Sequence, residues 1–110
     1  MTPKLDTLVF VNAEKQLTRK QPGFPNEYVK VTEPWCAWVD AQDNGIGLFM
    51  PHTSQATCYR VRNGNKGDCS YLAPIQTMAL KPGFVFEYEI ALTLGSLEEI
   101  RSAFKDTQAR

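Results

Sequence analysis

The chain has 110 residues, 43% of them apolar and 11% aromatic, and twelve basic side chains balance twelve acidic ones for a formal net charge of +0. That length suits one domain spanning residues 1–110, and the apolar content supports a packed core, which excludes disorder over most of it. Charge balance removes the basic footprint of a nucleic-acid or anionic-membrane partner, and no apolar run approaches the length of a membrane-spanning helix.

The first residues, Met-Thr-Pro-Lys-Leu-Asp, lack a basic segment followed by an apolar one, so no signal peptide is visible. Residues 5–11 read as a strand, residues 21–26 as a Pro- and Gly-containing loop, and residues 28–31 as a second strand. Pro34 opens Trp35-Cys36-Ala37-Trp38-Val39, which is apolar at both parities and reads as a central strand. Asp43-Asn44-Gly45 is the strongest hairpin signal in the chain. It returns into residues 46–50, where Gly47 is expected to spare room for a large neighbour such as Trp38. Residues 57–62 alternate, with Thr57, Tyr59 and Val61 opposite Cys58, Arg60 and Arg62. Residues 63–68 form a polar loop. Residues 71–80 contain a strand interrupted at Pro74, which places it at an edge or bulge.

Lys81-Pro82-Gly83 is a turn. After it, Phe84, Phe86, Tyr88, Ile90, Leu92 and Leu94 take every even position, predicting a long strand with one buried face. Gly95 is expected to end that strand. Ser96-Leu97-Glu98-Glu99 reads as a capping box, and Leu97, Ile100 and Phe104 give a narrow apolar stripe. A helix is expected over residues 97–106, with fraying beyond. No internal repeat is apparent. The sum is an all-β fold, a mainly antiparallel β-sandwich or strongly twisted sheet of about seven strands, with one short C-terminal α-helix.

Cys36, Cys58 and Cys69 are odd in number and contain no C-x-x-C pair. This favours a reducing, cytoplasmic setting, with one bridge plus one free thiol as the alternative. His52 is the single histidine, which excludes His-pair metal motifs. A general base is one reading of it, and an exposed or capping residue the favoured one. Glu87 and Glu89 share a strand face; a carboxylate pair suits glycoside chemistry, whereas an amphipathic strand carries Glu there by default. Trp35, Trp38, Tyr59 and Tyr71 offer planes for sugar rings or for a core, and opposite parity puts at most one tryptophan in the core if the sheet has a wet side. No metal and no cofactor are expected.

Three segments carry a resemblance: Glu33-Pro34-Trp35-Cys36-Ala37-Trp38-Val39-Asp40 with Asn44-Gly45-Ile46-Gly47-Leu48-Phe49; Ser70-Tyr71-Leu72-Ala73-Pro74-Ile75; and Leu80-Lys81-Pro82-Gly83-Phe84-Val85-Phe86-Glu87-Tyr88 with Leu92-Thr93-Leu94-Gly95 and Glu98-Glu99-Ile100-Arg101. Together they resemble the C-terminal portion of the galactose mutarotase-like supersandwich of sugar epimerases and polysaccharide-active enzymes. The resemblance implies a sandwich fold and a carbohydrate context. It transfers no catalytic residue, because mutarotases need several histidines and this chain has one. The expected function is therefore a non-catalytic carbohydrate-binding or accessory module. The alternatives are a structural domain that pairs with a partner domain or a second copy, and a small sugar enzyme using His52 and a carboxylate. The expected ligand surface comprises His52, Tyr59, Arg60, Asn63, Asn65 and Asp68 at a rim, with Glu87 and Glu89 on the polar strand face.

Overall fold

The computed structural model describes residues 5–23, 27–62, 68–75, 81–83, 85 and 89–108. Eight strands precede one helix: β1 Thr7–Val11, β2 Leu17–Lys20, β3 Glu27–Lys30, β4 Trp35–Val39, β5 Asn44–Phe49, β6 Gln55–Arg62, β7 Asp68–Ile75, β8 Ala91–Ser96 and α1 Leu97–Gln108. All pairings are antiparallel. The larger sheet has the order β2-β1-β4-β5-β8 and the smaller one β3-β6-β7. This is the expected all-β, sandwich-like architecture with a short C-terminal helix.

Three layers result, because the larger sheet is covered on both faces. On one face Leu8, Phe10, Cys36, Trp38 and Leu48 pack against Val29, Ala56 and Cys58 of the smaller sheet. On the other, Val9, Val11, Trp35, Ala37 and Phe49 meet Leu97, Ile100 and Phe104 of α1. Strand β4 is buried at all five positions, which explains its apolar sequence at both parities. Both tryptophans are consequently core residues, one per layer. The limit of one tryptophan in the core applied to a sheet with a wet side, and this part of the sheet has none. Trp38 Nε1 is buried without an acceptor among the described residues, a cost of about 1–3 kcal/mol. Burial of an indole, at ~25 cal/mol per Å² over roughly 200 Å², outweighs it.

The hairpin joining β4 to β5 turns at residues 41–43, ahead of the Asn-Gly dipeptide, which lies in β5. Asp40 and Asn44 close the loop (Asp40 N to Asn44 O, 2.9 Å), and Asp43 takes the left-handed backbone, φ 60°. Asp40 Oδ1 accepts the amides of Gln42 and Asn44. Gly45 therefore lies inside β5. The β1–β2 hairpin repeats this device: Asn12 Oδ1 accepts the amides of Glu14 and Gln16, and Lys15 has φ 63°. The recurrence of Val-Asn-Ala-Glu-Lys-Gln (11–16) as Val-Asp-Ala-Gln-Asp-Asn (39–44) is the repeat that the sequence reading missed. Strand β2 was missed as well, since Leu-Thr-Arg-Lys has no apolar face.

The largest correction concerns residues 84–94. Strand β8 begins at Ala91 and runs through Gly95 to Ser96. Val85, Ile90, Leu92 and Leu94 are exposed, so Ile90 and Leu92 are not core; Phe84, Phe86 and Tyr88 lie outside the described residues. The odd positions Ala91, Thr93 and Gly95 take the helix side, set by the pairing of Thr93 with Gly47 and of Ala91 with Phe49. The capping box forms as expected: the Glu99 amide donates to Ser96 Oγ (3.1 Å) and the Ser96 amide to Glu99 Oε1 (3.3 Å). The helix then extends to Gln108, two residues beyond the expected end. Pro74 lies in β7, an edge strand, as its missing N–H requires.

Gly47 makes room for the helix and not for Trp38. A Cβ there would lie 2.3 Å from Ile100 Cγ2 and 2.8 Å from Phe104 Cε2. The close approach seats Phe104 against Phe49 with ring centroids 5.3 Å apart. Gly47→Ala should therefore lower stability by about 1–3 kcal/mol through overpacking. Urea unfolding checks this, and the double variant Gly47→Ala, Ile100→Ala, which removes the Cγ2 methyl, should lose less than the sum of the two single losses.

Candidate functional site

Strand parity divides the expected site residues. In β6, Cys58 belongs to the core and Arg60 shares its parity, so Arg60 points inward and is 7% exposed. Tyr59 points outward. The expected Tyr59–Arg60 rim is thus split between the two faces of the smaller sheet, and Arg60 is unavailable to a ligand on the outer face. Its backbone amide donates to Gly23 O (3.0 Å). Asp68 opens β7 opposite Arg62. Asn63, Asn65 and Glu87 lie outside the described residues, and Glu89 is an exposed residue before β8.

His52 is exposed at the tip of a turn after β5. Pro51 and His52 occupy its centre, the Thr53 amide donates to Met50 O (3.2 Å), and His52 has φ 62°. Proline followed by a left-handed residue is a type II turn. His52 is thus exposed and held in place by backbone geometry. His52→Gly removes a Cβ from the left-handed region and should stabilise the fold by roughly 0.5–1 kcal/mol, read as a rise in the thermal midpoint; a strong loss would show that the imidazole itself is structural.

What the smaller sheet does bring together is tyrosine. Tyr59 and Tyr71 are directly opposite each other across β6 and β7. Their rings stack at 4.8 Å between centroids with 16° between planes. Tyr28 pairs with Thr57, two residues from Tyr59, so it shares the same outer face at a diagonal position. It is 62% exposed. Sequence reasoning passed over Tyr28 because a four-residue strand between charged neighbours gives little sign of its orientation. The register supplies it: Val29 is core, so Tyr28 faces out. Beside Tyr28 lies an open hollow of about 440 Å³ between the β1–β2 hairpin and β3, lined among others by Thr18, Lys20 and Lys30. Lys20 is held by Glu27 at 2.8 Å, a bond that, with the Gly23 amide, keeps the Glu27 carboxyl below its ordinary pKa.

A second concavity, about 570 Å³, lies where α1 meets the β4–β5 hairpin and is lined by Leu17, Asp43, Ser96, Arg101 and Lys105 among others. Two of its charged groups are engaged. Asp43 accepts from Arg19 at 2.6 Å, and Arg101 grips Glu33 through Nε (3.1 Å) and Nη2 (2.6 Å). Trp35 Nε1 also donates to Glu33 (2.9 Å). This carboxylate joins the helix to β4. The Arg101 hydrogen bonds are the main cause of its lowered pKa, with Trp35 adding to them against partial desolvation. The two core thiols, Cys36 and Cys58, are free and are raised in pKa by burial, so neither is an available nucleophile. Comparison with protein-family models, with curated proteins and with solved structures gave no match.

Because Glu33 is depressed in the folded state, its contribution is present above the unfolded glutamate pKa and is lost as pH falls through the folded value. Glu33→Gln should lower stability near pH 7 by about 1–2 kcal/mol for a half-exposed bidentate pair. It should also flatten the acid loss below about pH 4.5, the ordinary glutamate value. Thermal midpoints of both proteins from pH 7 to 3 test this; parallel curves would show that Glu33 is not a source of the acid sensitivity.

Proposed function

We propose that this chain is a non-catalytic carbohydrate-binding module whose contact surface is the outer face of the smaller sheet. The observation that carries the reading is the tyrosine row: the Tyr59–Tyr71 stack with Tyr28 exposed on the same face. A phenol ring offers a flat apolar plane for the C–H face of a sugar and a hydroxyl for its polar edge. Stacking two of the rings on each other fixes their orientation before a ligand arrives, which lowers the ordering cost of binding. Lys30, two residues from Tyr28 on the same exposed face of β3, adds hydrogen-bond donors suited to hydroxyls and to the carboxylate of an acidic sugar.

The resemblance of the β4–β5, β7 and β8–α1 segments to galactose mutarotase-like proteins supports the same ligand class. This reading replaces the rim of His52, Arg60 and the loop near residue 65 with Tyr28, Tyr59 and Tyr71. Calorimetric titration of the intact chain with neutral and acidic oligosaccharides tests it. Saturable binding is expected, weakened about 5- to 30-fold by Tyr28→Ala or Tyr71→Ala, equivalent to about 1–2 kcal/mol. Absence of saturable binding to either sugar class, or full affinity in Tyr28→Ala, would overturn it.

A further inference from the structure

Among the described residues four strand edges terminate the two sheets, and three carry features that discourage pairing with another chain. β2 presents Arg19 and Lys20, β3 presents Glu27 and Lys30, and β7 contains Pro74. β8 differs: Ala91-Leu92-Thr93-Leu94-Gly95-Ser96 has neither a charge nor a proline. Its single strand partner among the described residues is β5.

The faces of the two outer strands of the larger sheet differ in the same way. The five-stranded sheet is wider than the three-stranded sheet beneath it, so its flanks overhang. On the β2 flank, the side chains of sandwich-facing parity are Thr18 and Lys20, and Lys20 bonds Glu27 of β3. On the β8 flank they are Leu92 and Leu94, 69% and 76% exposed, with half-exposed Ile46 opposite Leu94 and exposed Ile90 just ahead of the strand. One overhang is built for water and the other is not.

We infer that β8 is a self-association edge, pairing antiparallel with β8 of a second copy about a two-fold axis. An antiparallel pair of identical strands is self-complementary, so a single strip satisfies both sides of the contact. The two-fold keeps Leu92 and Leu94 of both copies on one face, where they flank each other across the new pair. The strip is uncharged, and the chain's net charge of +0 gives no long-range repulsion between copies. Ile46, Ile90, Leu92 and Leu94 expose on the order of 400 Å² of apolar surface per copy, of which edge pairing covers the parts of Leu92 and Leu94 that face the added strand, alongside the backbone pairing itself. Such a contact lies below the roughly 1,200 Å² of stable specific interfaces and corresponds to a weak, concentration-dependent dimer.

Sedimentation velocity of the full chain from about 5 to 500 µM reads the equilibrium directly. The expected result is a monomer–dimer transition within that range. Leu94→Lys should raise the dissociation constant at least tenfold, while Leu17→Lys, on the charged β2 edge, leaves it unchanged. Hydrogen exchange on the wild-type chain supplies a second measurement that needs no variant: amide protection at Leu92–Leu94 should rise with protein concentration. A monomer at every concentration, unchanged dimerisation of folded Leu94→Lys, or β8 exchange independent of concentration each overturns the inference. Sugar binding by the tyrosine face does not enter this test, since those residues lie on the other sheet.

Discussion

The larger sheet has to be buried on both faces, and the helix can lie on its second face only because β5 carries no side chain at Gly47. That missing Cβ lets Ile100 and Phe104 drop onto the sheet, where Phe104 meets both Phe49 and Trp35. Burial of three side chains such as Leu97, Ile100 and Phe104 contributes about 1.5–3 kcal/mol each, far more than a short helix gains by propensity. The helix is thus held by the docking surface, with the capping box fixing its start and the Glu33–Arg101 bridge its rotation. Exposed pairs such as Arg19–Asp43 add little by comparison.

Double burial also explains where the sequence was legible. β4 announced itself because a strand covered from both sides must be apolar at both parities. The capping box, the apolar stripe of α1 and the edge position of Pro74 are local chemistry and need no knowledge of the rest of the fold. The alternation of residues 84–94 misled because a period of two marks which residues share a face, not which face is covered. Pairing with β5 places Thr93 against Gly47, so the odd positions meet the helix and the leucines look away from it.

The candidate site shows the same division. Alternation in β6 separated Tyr59 from Arg60 correctly, yet grouping them by nearness in sequence put both at one surface. Only the cross-strand register brings Tyr71 opposite Tyr59 and Tyr28 diagonal to it, and register depends on hairpin geometry that composition does not encode. The Asn-Gly signal at 44–45 illustrates the limit. An aspartate side chain collecting two amides (Asp40) outcompeted the dipeptide and moved the turn ahead of it, to residues 41–43.

A five-stranded sheet over a three-stranded one cannot be covered symmetrically, and the chain resolves its two flanks with different side chains. Lys20 crosses from the larger sheet to Glu27 at the edge of the smaller one, so the β2 flank finishes in an ion pair that water can solvate. This bond also orients the layers: β3 lies under the β2 side, which leaves β7 toward β8. On that side no charge stands in β8 to play the part of Lys20, and Leu92 and Leu94 remain where a solvated flank would place polar groups. The outer face of the smaller sheet, with its tyrosines, is a separate surface across the sandwich layer. Width mismatch between the sheets therefore leaves one apolar flank and one aromatic face on different elements, so occupancy of one need not hide the other.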